Sequence, residues 1–573
     1  MSFKRTRFKS TLPQTATLPK VRKGDSNGDE GELKESTREG GKALGSWSAN
    51  WRRNRDSLDE QRSRGSNNAQ ASASPVQSRT GNRTRVNRRR LQRRTKTIDI
   101  LQPIEAGVQK VFDLRDLLIV FVLTTGVLVI PVPASFDPMV HRALALFVFT
   151  GSILALQPAP LPISALMVPI AQVALGIDMV DMAFKPFGTP IVFLILGSLF
   201  LAEALRKHGL TRRLALYVIY YTNGNLPYLL FGIMAVTSML SMWVLNTATA
   251  AVLIPVAITI AQRIPRPEDA KIVLKTLALG ITYSASFGSI ATIMASGENA
   301  IASGLLSTPE EPFGFLAWMI YGLPIVLILL PLSWFMLMQV FRLPDVEIDT
   351  EPVAKEMKRL GGLSSPEQKI LVVMFFAVAL WITGSSIETA LGLPKTILSS
   401  AIVAIGAVAV LSIAEVIDWN DLKGVNWGVF FVIGAGLTLG DALNKTGAGV
   451  WFAELLAPFL QGLPYAAILA VLIILAFTLT QFMNNITLGA ILAPILIELG
   501  RASGMDPARL LIPTVFTLAL AYTLPAASAR MTLVSVTGAV EQKDMIRAGI
   551  AVGIPSSFVI WGVFYLLGHL GLI

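Results

Sequence analysis

The sequence predicts an all-α, polytopic membrane protein: about eleven transmembrane helices in two inverted repeats, each with a re-entrant hairpin and an unwound helix, behind a disordered basic N-terminal tail. Three observations carry this expectation. The 573 residues are 53% hydrophobic and 15% charged, with a mean hydropathy of +0.57, whereas a soluble chain carries roughly a quarter charged residues. Beyond residue 110, apolar runs of bilayer-spanning length follow one another almost without interruption. Two short polar motifs inside those runs recur at nearly one offset, 238 to 239 residues.

The tail comes first. Residues 1–110 hold 25 basic and 11 acidic groups, a net of +14. Their apolar residues are too thinly spread to offset the entropy of ordering, so the segment is expected to stay disordered. Its densest run is RVNRRRLQRRTK at 85–96. Beside a membrane such a run contacts anionic lipid headgroups and holds the N-terminus in the cytosol. Nucleic-acid binding is the weaker reading of the same cluster, and the acidic residues argue against an organelle transit peptide. The rest of the chain is close to neutral, at net −3.

Candidate spans lie near 117–133, 143–157, 161–177, 189–205, 227–262, 274–296 and 314–341, then near 369–387, 395–414, 425–443, 465–500, 509–529 and 547–572. The runs 227–262 and 465–500 are too long for one span and too short for two with a normal loop. A span plus a re-entrant hairpin fits both, and such a backbone survives at membrane depth only where protein buries it or it lines an aqueous cavity. The expected organisation is a first repeat with a leading helix at 111–345, a cytosolic linker at 346–368 and a second repeat at 369–573. A multi-pass protein of the plasma or cell inner membrane follows, with an organelle membrane as the other option.

The repeat is visible in the residues. NTATAAVLIP at 246–255 and NITLGAILAP at 485–494 each place Asn nine positions before Pro, at an offset of 239. ALRKHG at 204–209 matches ALNKTG at 442–447 at an offset of 238. An odd number of spans per unit turns the second unit upside down. Inverted repeats with interrupted helices at matching places are the mark of a secondary transporter, with its site at the repeat interface.

Other functions find no support in the residues. The absence of cysteine excludes disulfides, thiolate metal sites and cysteine nucleophiles, and the three histidines are scattered. No nucleotide loop or nucleophile–base arrangement is present, so the chain is not expected to be an enzyme or to hold a cofactor.

Residues 114–573 resemble the divalent-anion/sodium symporters, solute carrier family 13. SMWVLNTAT at 241–249 is similar to that family's first hairpin signature, S-M-W-I-S-N-T-A-T, and TQFMNNIT at 480–487 to its second, T-E-F-T-S-N-T-A. GITYSASFG at 280–288 and FLILGSLFLA at 193–202 resemble two further family stretches. The resemblance implies eleven spans, two hairpins, a homodimer and elevator motion of a substrate domain. It also implies an anion site at Asn246, Thr247, Asn484, Asn485 and Thr487, and sodium as coupling ion. One ion would sit at Ser241, Asn246 and Gly288, the other at Thr480, Asn485 and Ala527. Departures are present: Leu245-Asn246-Thr247 and Asn484-Asn485-Ile486 stand where the family has Ser-Asn-Thr, and Gly297-Glu298-Asn299 and Ala529-Arg530-Met531 where it has Pro-Pro-Asn.

Chemically, broken helices leave N–H groups unpaired at their N-termini, which stabilise anionic oxygen. Glu298 and Arg530 occupy matching places, two residues past Ser296 and Ser528. Three arrangements are open for them: a charge pair across the repeat interface, Arg530 as fixed positive charge beside a substrate anion, or both groups in water past their helix ends. Glu203–Lys207 and Asp441–Lys445 are expected to form i,i+4 pairs at helix ends. The leading function is sodium-coupled transport of a small anion such as a dicarboxylate, citrate or sulfate. The alternatives are a sodium-independent anion exchanger or a sodium/proton antiporter.

Overall fold

Helices dominate because lipid supplies no hydrogen bonds, so every backbone group in a span must be satisfied within it. The computed structural model describes residues 113–573 apart from short gaps at 134–135, 223, 309–312, 347–350, 395, 461 and 539. The expected tail lies outside the described residues. These hold 22 α-helices, labelled α1 to α22 in chain order.

The first eleven are α1 (Leu114–Val129), α2 (Pro138–Leu156), α3 (Leu161–Ala174), α4 (Val180–Phe184), α5 (Pro190–Lys207), α6 (Leu210–Tyr221), α7 (Leu226–Ser241), α8 (Asn246–Ala261), α9 (Pro267–Gly288), α10 (Gly297–Leu306) and α11 (Phe315–Val340). Then come α12 (Glu351–Leu360), α13 (Ser365–Leu391), α14 (Ser400–Ile413), α15 (Trp419–Lys423), α16 (Trp427–Thr446), α17 (Ala448–Leu460), α18 (Tyr465–Thr480), α19 (Asn485–Ala502), α20 (Pro507–Leu518), α21 (Ala529–Val536) and α22 (Gln542–His569). Among them six are long and apolar enough to cross a membrane, or seven if a bent pair around 188–190 counts as one span; six more apolar helices are shorter.

Both over-long apolar runs are broken. The chain leaves helix at 242–245 between α7 and α8, and at 481–484 between α18 and α19. The runs after them also end early: α9 stops at Gly288 and α20 at Leu518, followed by 3-10 turns and extended residues as far as Ser296 and Ser528. Ser296 and Ser528, both extended, then start α10 and α21.

Element n matches element n + 11 from α3 onward. The starts of α3, α4, α7 and α8 each lie 239 residues before those of α14, α15, α18 and α19. Contacts between the halves are reciprocal: α5 packs on α14 as α16 does on α3, and α8 on α21 as α19 does on α10. Two ion pairs also cross between these segments, Lys207 with Asp421 (2.6 Å) and Lys445 with Asp178 (2.9 Å). Of the two i,i+4 pairs expected, Asp441–Lys445 forms at 2.7 Å. Glu203–Lys207 does not: Glu203 takes Arg206, one residue nearer, because Lys207 is drawn across to Asp421.

Between helices in lipid, close approach of small residues replaces hydrophobic driving force. Gly197 of α5 meets Ala404 of α14 so closely that a Cβ added to the glycine would lie 2.7 Å from the alanine methyl. Outward faces keep large apolar side chains exposed, among them Phe121, Phe375, Phe376, Ile413 and Phe558.

Candidate functional site

The first break is built by α7, α8, α9 and the unwound stretch 289–296. Asn225 caps α7 by accepting from the Tyr228 N–H, which fixes where that helix starts. At its far end the Ser241 hydroxyl donates to the Ala285 carbonyl at 2.6 Å. Gly288 makes this approach feasible: an added Cβ would lie 2.5 Å from the Ser238 carbonyl oxygen. Ser241, Asn246 and Gly288, the three residues expected at one ion site, are thus all buried where α7, α8 and α9 meet. Asn246 reaches the Ser289 hydroxyl at 3.5 Å and accepts from Thr247 at 3.2 Å. Thr292 donates to the Met242 carbonyl in the break, and Asn299 donates to the carbonyls of Ser289 (2.8 Å) and Thr292 (2.9 Å). Trp243 stacks on Trp381 of α13, which seats the break against the other half.

At the start of α8 no side chain caps the free N–H groups, because Leu245 has no acceptor to offer. Its counterpart differs. Asn484 caps α19 by accepting from the Ile486 N–H at 2.9 Å.

The second break repeats the hydroxyl contact and adds an amide. Thr480 donates to the Leu518 carbonyl at 2.7 Å and reaches Asn485 at 3.4 Å. Gln481 donates to the Leu520 carbonyl and accepts from the N–H groups of Tyr522 and Thr523 and from the Thr523 hydroxyl. Sequence reasoning missed Gln481; an amide three residues before the Asn484-Asn485 pair, inside an apolar run, was the available signal. It also missed Ser286, which crosses from α9 to donate to the Ala519 carbonyl at 2.9 Å. Ala527, expected at the second ion site, is buried in a 3-10 turn, where its N–H donates to the Leu524 carbonyl.

Contacts between the halves converge on Asn485 and Glu298. The Asn485 amide donates to Glu298 Oε1 at 3.3 Å. Gly489, one turn along α19, admits the first turn of α10: a Cβ there would meet the Glu298 Cβ at 2.7 Å. Thr487 is buried near the start of the same helix, and Ile486 packs on Gly297, filling space at the start of α10.

Of the three arrangements open for Glu298 and Arg530, water past the helix ends is excluded: they are 1% and 2% exposed. A direct charge pair is not formed either, since neither group takes part in an ion pair among the described residues. Arg530 donates from Nη2 to the Ala519 carbonyl at 3.1 Å. Glu298 Oε2 and Arg530 Nε have no hydrogen-bond partner among the described residues.

Two of the cavities border α19 and α8. One of about 470 Å³ sits beside Pro494–Arg501, toward the other end of α19, between Lys185, Asp441, Lys445 and Glu498. A smaller one of about 190 Å³ runs along α8 at Leu245, Ala248 and Thr249.

The family described as the sodium:sulfate symporter transmembrane region matches residues 112–570. The chain belongs to this family. An uncharacterized transporter of Haemophilus influenzae is 31% identical over 438 residues, 75% of this chain and 92% of that protein. The sodium-dependent dicarboxylate transporter SdcS of Staphylococcus saprophyticus is 29% identical over 400 residues, 66% and 77% of the two chains. The crystal structure of the Alcanivorax borkumensis YdaH transporter aligns at a TM-score of 0.49 and 13% identity, over 68% of this chain and 87% of that one. This sodium:sulfate symporter family member is accordingly a multi-pass integral membrane transporter and not an enzyme.

Proposed function

We propose that this chain is a secondary active transporter that moves a small anion by sodium symport. The observation that carries the reading is the pair of matched helix breaks, each followed by a buried Asn at the first position of a helix, Asn246 and Asn485. Helix N-termini favour anionic oxygen through free N–H groups and the helix dipole. At α8 those groups lack a side-chain cap, so the first half offers the barer cradle, with Thr247 beside it. Asn484, Asn485, Thr487 and the buried guanidinium of Arg530 complete the substrate site from the second half.

Ile486 covers the start of α10 with hydrocarbon. That leaves room for one anionic group more readily than for two, and favours a small inorganic anion or a short carboxylate. Sodium would lie against Ser241, Asn246 and Gly288, where hydroxyl, amide and backbone oxygens meet. The Staphylococcus relative, a sodium-dependent dicarboxylate transporter, supports the coupling.

The two halves, 111–345 and 369–573, act as inverted repeats joined by a cytosolic linker at 346–368. The N-terminus faces the cytosol, the basic tail contacts anionic lipid, and two copies form a dimer in which a substrate domain moves as an elevator.

The test is counterflow in proteoliposomes with labelled sulfate, phosphate, citrate and succinate, with sodium and with choline. Sodium-dependent uptake of one of these anions supports the reading. Equal uptake in choline turns it toward exchange, and no uptake of any of them overturns it.

A further inference from the structure

Glu298 and Arg530 stand at the two ends of one hydrogen-bonded run at the second break. Glu298 Oε1 accepts from Asn485 (3.3 Å), Asn485 meets Thr480 (3.4 Å), and Thr480 donates to the Leu518 carbonyl (2.7 Å). The next carbonyl along, Ala519, accepts from the Arg530 guanidinium at 3.1 Å. Both charged side chains are almost completely buried, and Glu298 Oε2 and Arg530 Nε lack hydrogen-bond partners among the described residues. The guanidinium keeps its charge at any ordinary pH. Its electrostatic partners are Glu298 and the Tyr522 phenol.

The surroundings leave the two charges to each other. Helix α10, which carries Glu298, packs on α5, α16, α19 and α20. The cations on those helices are committed elsewhere: Arg206 to Glu203, Lys207 to Asp421, Lys445 to Asp441 and Arg501 to Glu498, while Arg509 donates to the Ile573 carbonyl. Helix α21, which carries Arg530, packs on α8 and α9. The first of these has no charged residue, and those of α9 all lie in its first nine residues, far along the helix from Gly288.

Opposite charges this deep are each costly alone, and each lowers the cost of the other. Together they sum to zero. An anion that reaches Arg530 meets no net positive charge unless a cation arrives with it. We propose that Glu298 is the built-in counter-ion of Arg530 and thereby makes sodium obligatory: the anion binds only when sodium restores the positive charge that Glu298 cancels. This deepens the sodium-coupled reading and rests on it. Glu298 acts through Arg530, so it is a positioning residue that fixes the coupling and not a ligand of the anion. With Glu298 neutral, the guanidinium itself balances one negative charge of the anion, and sodium is no longer required.

The test has two arms. In the first, purified full-length protein is unfolded by heat in choline buffer without added anion. Glu298→Gln keeps an acceptor for Asn485 and Arg530→Met keeps much of the bulk, so each mainly removes a charge. Each single change is expected to lower the melting temperature. The double variant is expected to recover at least about half of the loss seen in Arg530→Met, because neither charge is then buried alone. Losses that simply add overturn the proposal. Should Arg530→Met fail to fold, the double variant has to fold, and its failure overturns the proposal as well.

In the second arm, counterflow with labelled sulfate, phosphate, citrate and succinate is run in sodium and in choline. Glu298→Gln is expected to cut the ratio of uptake in sodium to uptake in choline at least about tenfold, by raising uptake in choline. Glu298→Asp, which keeps the charge, is expected to hold the wild-type ratio while its rate falls. A wild-type ratio in Glu298→Gln overturns this inference and leaves sodium symport standing. Wild-type uptake that is equal in both salts, or absent for all four anions, defeats the proposed function and with it the sodium role given to Glu298, while the unfolding arm still reports the pairing.

Discussion

Adding one methyl group at Gly288 tests the first break at its tightest point. An ideal Cβ there lies 2.5 Å from the Ser238 carbonyl oxygen and 2.7 Å from the Ser238 Cα. Ordinary contact begins near 3.4 Å, so α7 and α9 must part by about 0.9 Å. The obstructing atoms are backbone and cannot rotate aside. The nearby Ser241–Ala285 hydrogen bond would stretch from 2.6 Å to the edge of bonding distance. Overpacking of this kind costs typically ~1–3 kcal/mol, and the lost hydrogen bond adds about 1 kcal/mol. Gly288→Ala is therefore expected to lose about 2–4 kcal/mol of stability, with sodium-dependent uptake falling at least tenfold. The control is Gly406→Ala on α14, where an added Cβ meets nothing within 4 Å and stability should stay within about 0.5 kcal/mol of wild type. Thermal unfolding in detergent and uptake in proteoliposomes check both. Equal stability of the two variants would refute the reasoning.

Three further outcomes follow from named contacts. Asn485→Ala removes the amide on Glu298 Oε1 and leaves that carboxylate without a hydrogen bond, so uptake should be abolished with a stability loss of about 1–3 kcal/mol; retained uptake at wild-type rate would count against the site. Arg213→Ala breaks a buried pair with Glu367 (2.8 Å) that also holds the Gly361 carbonyl, and thermal unfolding should report a loss of about 3–5 kcal/mol, since the carboxylate is left 6% exposed and unpaired. Ile486→Thr clears hydrocarbon from the start of α10 and adds a hydroxyl, so competition assays should show dicarboxylates inhibiting uptake more strongly relative to sulfate than in wild type.

Much of this was legible in the residues, for specific reasons. Apolar runs too long for one span and too short for two could only be broken, and the breaks fall at 242–245 and 481–484 within them. An Asn nine residues before a Pro, written twice, marked the start of both following helices. What the sequence concealed depends on long-range partners. Lys207 could not be seen to prefer Asp421 over Glu203, because that choice is made by a contact more than 200 residues away. The ends of α9 and α20 were also unreadable. Apolar residues continue past Gly288 and Leu518 while the backbone leaves helix, held out by Asn299, Gln481 and Arg530. Burial of Glu298 and Arg530 without mutual contact required the packing of α10 on α19 and of α21 on α8 and α9.

The central claim is that the starts of α8 and α19 serve one anion. Because the chain has no cysteine, single cysteines can be placed at the matching positions Thr247 and Ile486, both partly buried, and labelled with maleimide in membranes. The account predicts that the transported anion, with sodium, protects both cysteines with the same half-protecting concentration. Protection of one position alone, or of neither, would contradict it.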